Sequence, residues 1–191
     1  QNVIESIRVW HGRYLAATEH VRPDLHKLLT QVPFSPARNF HEALQALWFI
    51  FAFVRLCGNW PGIGRIDWLL GGYLHKDLRN GLLDRDEARE LLASFFIKGC
   101  EWIQSETPVG TGDAQHYQNL VLAGVDENGK EVANEATFLV LDIVEELAIS
   151  DFPITVRLNK HTPLSLKEKI ARVMRHGGGI VAVYNEELIL R

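Results

Sequence analysis

Residues 112–142, which predict a strand, a turn and a helix in close succession, constrain the fold of this chain most strongly. Within them, residues 115–123 run from polar side chains into the apolar stretch 120–122, which predicts a β-strand. The Asn-Gly pair at Asn128 and Gly129 supplies the positive backbone dihedrals of a tight turn. Asn134 is suited to cap a helix. The apolar stripe of that helix comprises Ala136, Leu139, Val140, Ile143, Val144 and Leu147.

Short strands and helices alternate along much of the chain. Further strands are predicted at residues 152–158 and 180–183. Helical spacing and capping signals predict the helices, at residues 2–29 (interrupted at Pro23), 40–56, 69–78, 85–104 and 164–175. The sequence therefore predicts a helix-rich α/β fold, with short strands separated by helices.

The polar half of the first strand has two interpretations. Alternation places Gln115, Tyr117, Asn119 and Val121 on one face, with residues 116, 118, 120 and 122 on the other. Buried amides need hydrogen-bond partners, and a strand that lines a polar cavity offers them. A half-exposed edge strand whose amides bind neighbouring backbone groups is the alternative, and the residues alone leave both open.

Composition narrows the class of protein. The chain has 191 residues, 47% of them hydrophobic and 23% charged, which is typical of a globular domain. A net charge of −4 argues against a general nucleic-acid surface, which needs clustered Lys and Arg. The two cysteines, Cys57 and Cys100, form no disulfide framework and fit a reducing compartment. No membrane span or signal peptide is evident, so we expect a cytoplasmic protein.

Familiar catalytic patterns are missing from the sequence. The eight histidines are scattered without metal-ligand spacing, so no metal site is predicted. Cys100 is interpreted as a structural residue, and the glycine-rich stretch 57–64 as a tight connection rather than a phosphate loop. The pairs Glu145-Glu146 and Glu186-Glu187 are interpreted as solvated helix faces. Arg65 and Asp67 either form a structural ion pair or bind separate partners.

Five blocks occur in this order along the chain: NFHEALQALWFIF, GIGRIDWLLGGYLHKDLRNGLLDRDEARELLASFFIKGCEW, AGVDENGKEVANEATFLVLD, FPITVRLN and GGGIVAVYNEELI. In their order and spacing they resemble the pyruvate formate-lyase domain of the glycyl radical enzymes. The resemblance implies one domain over residues 1–191, with an N-terminal helical segment at 1–32 and barrel-forming helices and strands at 33–191. It also implies that the chain is part of a β/α barrel and of a longer protein.

By the same resemblance, the reaction would be radical C–C, C–O or C–N bond cleavage on a small polar metabolite in anaerobic metabolism. Such enzymes carry a glycyl radical, installed by a radical S-adenosylmethionine activating enzyme, and transfer it to a cysteine. Neither the radical glycine motif nor the catalytic cysteine is matched here, so we expect no catalytic residue in this chain. The resemblance further implies a homodimer. The alternative is a non-catalytic α-rich binding or structural module.

The resemblance also selects candidate pocket residues. Gln115 aligns with a tryptophan that lines the pocket of pyruvate formate-lyase, so Gln115, Tyr117 and Asn119 are the predicted substrate-pocket residues. This departure at Gln115 favours dehydratases and lyases over a formate acetyltransferase. The substrate itself is not predicted.

Overall fold

The computed structural model describes residues 2–56, 62–100, 118–149, 152–177 and 179–190. The chain forms two compact units, Gln1–Asn59 and Trp60–Arg191. Within the described ranges no helix has the length and apolar character needed to cross a membrane.

The first unit consists of three helices, α1 (Asn2–Thr18), α2 (Pro23–Gln31) and α3 (Phe40–Leu56). Two large apolar side chains of α1, Ile4 and Tyr14, are 57% and 44% exposed. Trp10 packs on Phe49 of α3, with ring centroids 4.4 Å apart. The buried ring of His11 lies beside Trp10 in sequence, and its Nε2 is 2.8 Å from the carbonyl oxygen of Leu29.

The second unit alternates strands and helices, as the sequence predicts. Its elements are β1 (Gly64–Arg65), α4 (Ile66–Arg79), α5 (Arg85–Cys100), β2 (Leu120–Ala123), α6 (Glu135–Leu147), β3 (Ile154–Leu158), α7 (Leu164–Met174), β4 (Val181–Asn185) and α8 (Glu186–Ile189). Of the predicted strand 115–123, only residues 120–123 are strand. Residues 118 and 119 precede it, and residues 115–117 lie outside the described part of the chain.

The four strands form a parallel sheet in the order β1-β2-β3-β4. Because parallel crossovers are right-handed and each strand pairs with the next in sequence, the connecting helices all lie on one side. Burial agrees with this arrangement, since Leu120, Leu122, Ile154 and Val156 are at most 1% exposed. The opposite side, which we call the open face, carries the half-buried or exposed residues Val121, Thr155, Arg157, Ala182 and Tyr184. One-sided helix cover over sequentially ordered parallel strands is the pattern of a barrel segment.

Helix α6 shows how local sequence specifies these elements. The Asn134 side chain accepts a hydrogen bond from the backbone N–H of Ala136, at 2.8 Å. The Thr137 hydroxyl, in turn, accepts from the backbone N–H of Asn134, at 3.0 Å, which completes a capping box. The predicted stripe is buried except for Leu147, in the last turn, which is 38% exposed. Helix α5 also begins at a cap, because Asp84 and Glu87 bind each other's backbone N–H at 2.8 Å.

The interpretation of Glu145 and Glu146 as simply solvated residues is wrong for Glu145. Its carboxylate is bound by the ammonium group of Lys169 on α7, whose side chain is 8% exposed. Lys169 also lies 2.7 Å from a carboxylate oxygen of Asp142. Burial lowers the pKa of Lys169, but the hydrogen bonds from its ammonium group to these two carboxylates outweigh it and raise the pKa. This charge cluster joins α6 to α7.

Candidate functional site

Asn119 is the one predicted pocket residue within the described part of the chain. It directly precedes β2, and its side-chain oxygen accepts a hydrogen bond from the Thr155 hydroxyl on β3, at 3.2 Å. Its backbone oxygen accepts from the N–H of Ile63, at 2.9 Å. Gln115 and Tyr117 fall outside the described residues. The structure therefore brings Asn119 together with Thr155, which sequence reasoning did not select.

The predicted alternation holds where it is visible. Asn119 and Val121 are half-buried, whereas Gln118, Leu120 and Leu122 are fully buried. Asn119 and Thr155 thus form a polar pair at the amino-terminal edge of the open face.

The carboxyl-terminal edge of the sheet carries a buried ion pair. Arg157 on β3 donates from Nε and Nη2 to the two carboxylate oxygens of Glu186, at 2.5 and 2.6 Å. Glu186 directly follows β4, and its side chain is 2% exposed against 19% for Arg157. It also accepts from the backbone N–H of Val125, at 3.0 Å, and so joins the ends of β2, β3 and β4.

The prediction that Glu186 lies on a solvated helix face is therefore wrong. Helix α8 begins at this residue, and the side chain turns back onto Arg157 instead of following the helix surface. Its neighbour Glu187 is exposed, as predicted, and accepts from the backbone N–H of Lys160. Arg157, a charged residue within the β-branched run ITVRL, was the signal that a buried carboxylate lay nearby.

Glycine is required where this ion pair meets the backbone of β2. Gly124 has a φ of +87°, and a Cβ atom there would lie 3.0 Å from Glu186 Oε1 and 3.1 Å from Arg157 Cβ. Only a residue without a side chain lets the pair pack this closely on the strand end.

Arg65 and Asp67 bind separate partners, so the second of the two interpretations of these residues is correct. The Arg65 guanidinium donates to the backbone oxygens of Ala123 and Val125, each at 3.1 Å. Asp67 accepts from the backbone N–H of Ala123 and from the Thr137 hydroxyl, both at 2.7 Å. The Asp67 carboxylate is fully buried, and this burial raises its pKa. Both residues fix the end of β2 against its neighbours, so their role is architectural.

The described ranges contain no group of three or more His, Cys, Asp or Glu side chains able to hold a metal ion. Cys100 is half-buried at the end of α5, and Cys57 lies outside the described residues. The chemistry that this geometry supports is polar recognition on one face of the sheet.

Comparison with known proteins identifies the family. Residues 23–191 match the model of the pyruvate formate lyase-like family. Trans-4-hydroxy-L-proline dehydratase of Clostridioides difficile is 28% identical over 84% of this chain and 21% of its own length. Indoleacetate decarboxylase of Tractidigestivibacter scatoligenes is 29% identical over 85% of this chain and 19% of its own length. The chain thus spans about a fifth of the length of the curated relatives it matches.

Solved structures agree on the fold. A protein of 1,2-propanediol dehydration in Roseburia inulinivorans superposes with a TM-score of 0.82 at 23% identity, covering 97% of this chain and 26% of that one. The hydroxyproline dehydratase of Clostridioides difficile superposes with a TM-score of 0.73 at 26% identity. The match covers 86% of this chain and 22% of that one. The described sheet and helices are accordingly a segment of an α/β barrel, and the chain belongs to the pyruvate formate lyase-like family of glycyl radical enzymes.

Proposed function

We propose that the protein containing this chain is a glycyl radical enzyme that cleaves a C–C, C–O or C–N bond in a small polar metabolite. The observation that carries the proposal is the family match over residues 23–191, together with a sheet whose open face carries the polar residues Thr155, Arg157 and Tyr184. Relatives named as a dehydratase of trans-4-hydroxy-L-proline and of (2S)-3-sulfopropanediol, and as a lyase of isethionate, support a small polar substrate.

In this proposal the chain supplies part of the barrel wall and none of the groups that carry the radical. Gln115, Tyr117 and Asn119 are proposed to face the substrate, with Asn119 oriented by Thr155. An amide held by one hydrogen bond keeps its nitrogen for a second partner, such as a substrate oxygen. We favour a dehydratase or lyase reaction over formate acetyl transfer, because the sequence resemblance aligns Gln115 with a tryptophan of pyruvate formate-lyase.

The proposal extends to cofactor, partners and compartment. A glycyl radical, installed by a radical S-adenosylmethionine activating enzyme, would supply the chemistry. A homodimer in the cytoplasm of an anaerobe is the expected form of the enzyme. These points rest on family membership, and the domain division at residues 1–32 and 33–191 is proposed on the same basis.

The proposal that the protein is a glycyl radical enzyme is tested with the full-length gene product. After anaerobic incubation with its activating enzyme and S-adenosylmethionine, electron paramagnetic resonance should show the doublet of a backbone glycyl radical. The control is the same incubation without S-adenosylmethionine. Repeated activation that leaves no organic radical would refute the proposal and favour a non-catalytic α-rich module.

The pocket assignment is tested by substitution in the activated enzyme. Asn119→Ala should lower turnover at least tenfold, which corresponds to about 1.4 kcal/mol of transition-state stabilisation. Gln115→Ala and Tyr117→Phe should also lower it. Asn128→Ala, which removes an exposed amide in the turn, is the matched control and should leave the kinetics unchanged. Wild-type kinetics in all three pocket variants would leave only a scaffold role for this strand.

A further inference from the structure

The Arg157 guanidinium has one edge bound and one edge unused. A guanidinium carries five N–H donors, on Nε, Nη1 and Nη2. Glu186 takes the donor on Nε and one donor on Nη2. Within the described ranges of the chain, the three other donors make no hydrogen bond, and two of them belong to Nη1. The Nη1–Nη2 edge is therefore a vacant fork of parallel donors.

This vacant edge is reachable from outside the sheet. The Arg157 side chain is 19% exposed, and Nη1 is not among the buried side-chain atoms that lack a partner in the described residues. Strand alternation puts Arg157 on the open face with Thr155, and the register places Tyr184 directly opposite it on β4. Tyr184 is 48% exposed, so its side chain borders the same space.

The ion pair with Glu186 orients this fork in advance. Two charge-assisted bonds and the close backbone of Gly124 hold the guanidinium plane, so a ligand would find it already ordered. Glu186 also cancels the charge of Arg157, and attraction would therefore come from directed hydrogen bonds more than from net charge. Arg65, whose guanidinium binds the backbone oxygen of Ala123 on the neighbouring strand end, adds a second positive charge at this edge.

We propose that the unused Nη1–Nη2 edge of Arg157 binds a carboxylate of the substrate, so that the enzyme acts on a small organic acid. A planar carboxylate matches the spacing of two parallel N–H donors, whereas a neutral alcohol fills only one of them. The proposal rests on the proposed function, since it names the substrate class of that barrel. It adds a substrate contact two residues along β3 from Thr155, the residue that orients Asn119, and towards the carboxyl-terminal edge of the sheet, where parallel barrels build their sites.

The test measures binding to the full-length protein without activation, so that it does not depend on radical formation. Lactate and 1,2-propanediol are the probes, because they share a methyl and a hydroxyl group and differ in the carboxylate. Isothermal titration calorimetry should give a dissociation constant for lactate that is at least tenfold lower than that for 1,2-propanediol. Equal binding of the two probes, or binding of neither, would overturn the proposal even if the glycyl radical forms.

Two further measurements assign the effect to Arg157. Arg157→Lys keeps a cation beside Glu186 but loses the fork, and it should weaken lactate binding at least tenfold. Arg175→Lys, at the exposed end of α7, is the matched control and should bind lactate as the wild type does. Lactate affinity unchanged in a folded Arg157→Lys protein would contradict the assignment.

A variant-free measurement covers the case in which Arg157→Lys does not fold. Phenylglyoxal modifies accessible arginines, and peptide mass spectrometry locates the product on the wild-type protein. Lactate should slow modification of Arg157 and leave Arg175 unaffected, while 1,2-propanediol should protect neither. Modification of Arg157 at the same rate with and without lactate would refute the proposal.

Discussion

Asp67→Asn is the substitution that tests most directly how the end of β2 is held. The two side chains have nearly the same shape, but a carboxylate only accepts hydrogen bonds, whereas an amide presents one acceptor and one donor group. Asp67 accepts three hydrogen bonds, from the N–H groups of Trp68 and Ala123 and from the Thr137 hydroxyl. The two N–H groups approach different carboxylate oxygens.

The hydrogen bonds around Asp67 determine how much stability the Asp67→Asn substitution should remove. Whichever way the introduced amide turns, its NH₂ group must face a backbone N–H, that of Trp68 or that of Ala123. An unsatisfied buried donor costs about 1–3 kcal/mol, and the lost bonds to a charged acceptor add to this cost. Relief from burying a charge offsets part of it, because burial raises the pKa of Asp67. We expect a net loss of about 2 kcal/mol in local stability.

Hydrogen exchange followed by mass spectrometry on the full-length protein measures this loss at the peptide that contains Ala123. A loss of about 2 kcal/mol corresponds to roughly thirtyfold faster exchange. Asp86→Asn, in the exposed first turn of α5, is the control and should leave that peptide unchanged. Slower exchange in Asp67→Asn would refute the reasoning, because it would show that desolvation of the charge outweighs the three hydrogen bonds.

The pH dependence of the free energy of unfolding provides a second test of the role of Asp67. Its folded pKa is raised above 3.8, so protonation favours the folded state. This contribution is fully present below pH 3.8 and is lost as the pH rises through the folded pKa. An asparagine side chain does not titrate. The free energy of unfolding of the wild type should therefore exceed that of Asp67→Asn by a growing amount as the pH is lowered towards about 4.

Three other outcomes follow from the contacts of the second unit. Gly99→Ala would drive a Cβ atom into the ring of Phe152, and this overpacking should cost about 1–3 kcal/mol in thermal unfolding. Asn134→Ala removes the cap of α6 and should cost about 1 kcal/mol, seen as faster exchange in its first turn. Lys169→Met removes the partner that lowers the pKa of Glu145 below 4.5. The stability that the ionised Glu145 gains from Lys169 is lost as the pH falls through the lowered pKa. In acid unfolding, the wild type should therefore lose stability more steeply than Lys169→Met.

Local features of the fold were readable from the sequence because they depend on neighbouring residues. The caps at Asp84 and Asn134 involve partners within three positions, and the turn at Gly129 needs a φ of +75° that glycine supplies. The alternation of strands and helices follows from the period of the apolar residues, and it is enough to indicate an α/β architecture. The order of the matching blocks then indicated the family.

Tertiary structure alone decided which polar groups meet. Arg157 and Glu186 are 29 positions apart, and Asp67 binds groups 56 and 70 positions away. Period and propensity carry no information on such pairs, so Glu186 had the sequence pattern of a solvated residue although it is buried. The parallel register of β3 and β4 brings Arg157 and Glu186 to one edge, and burial there makes each charge require its partner. The sequence determined the elements and their class, whereas the register of the sheet determined the site.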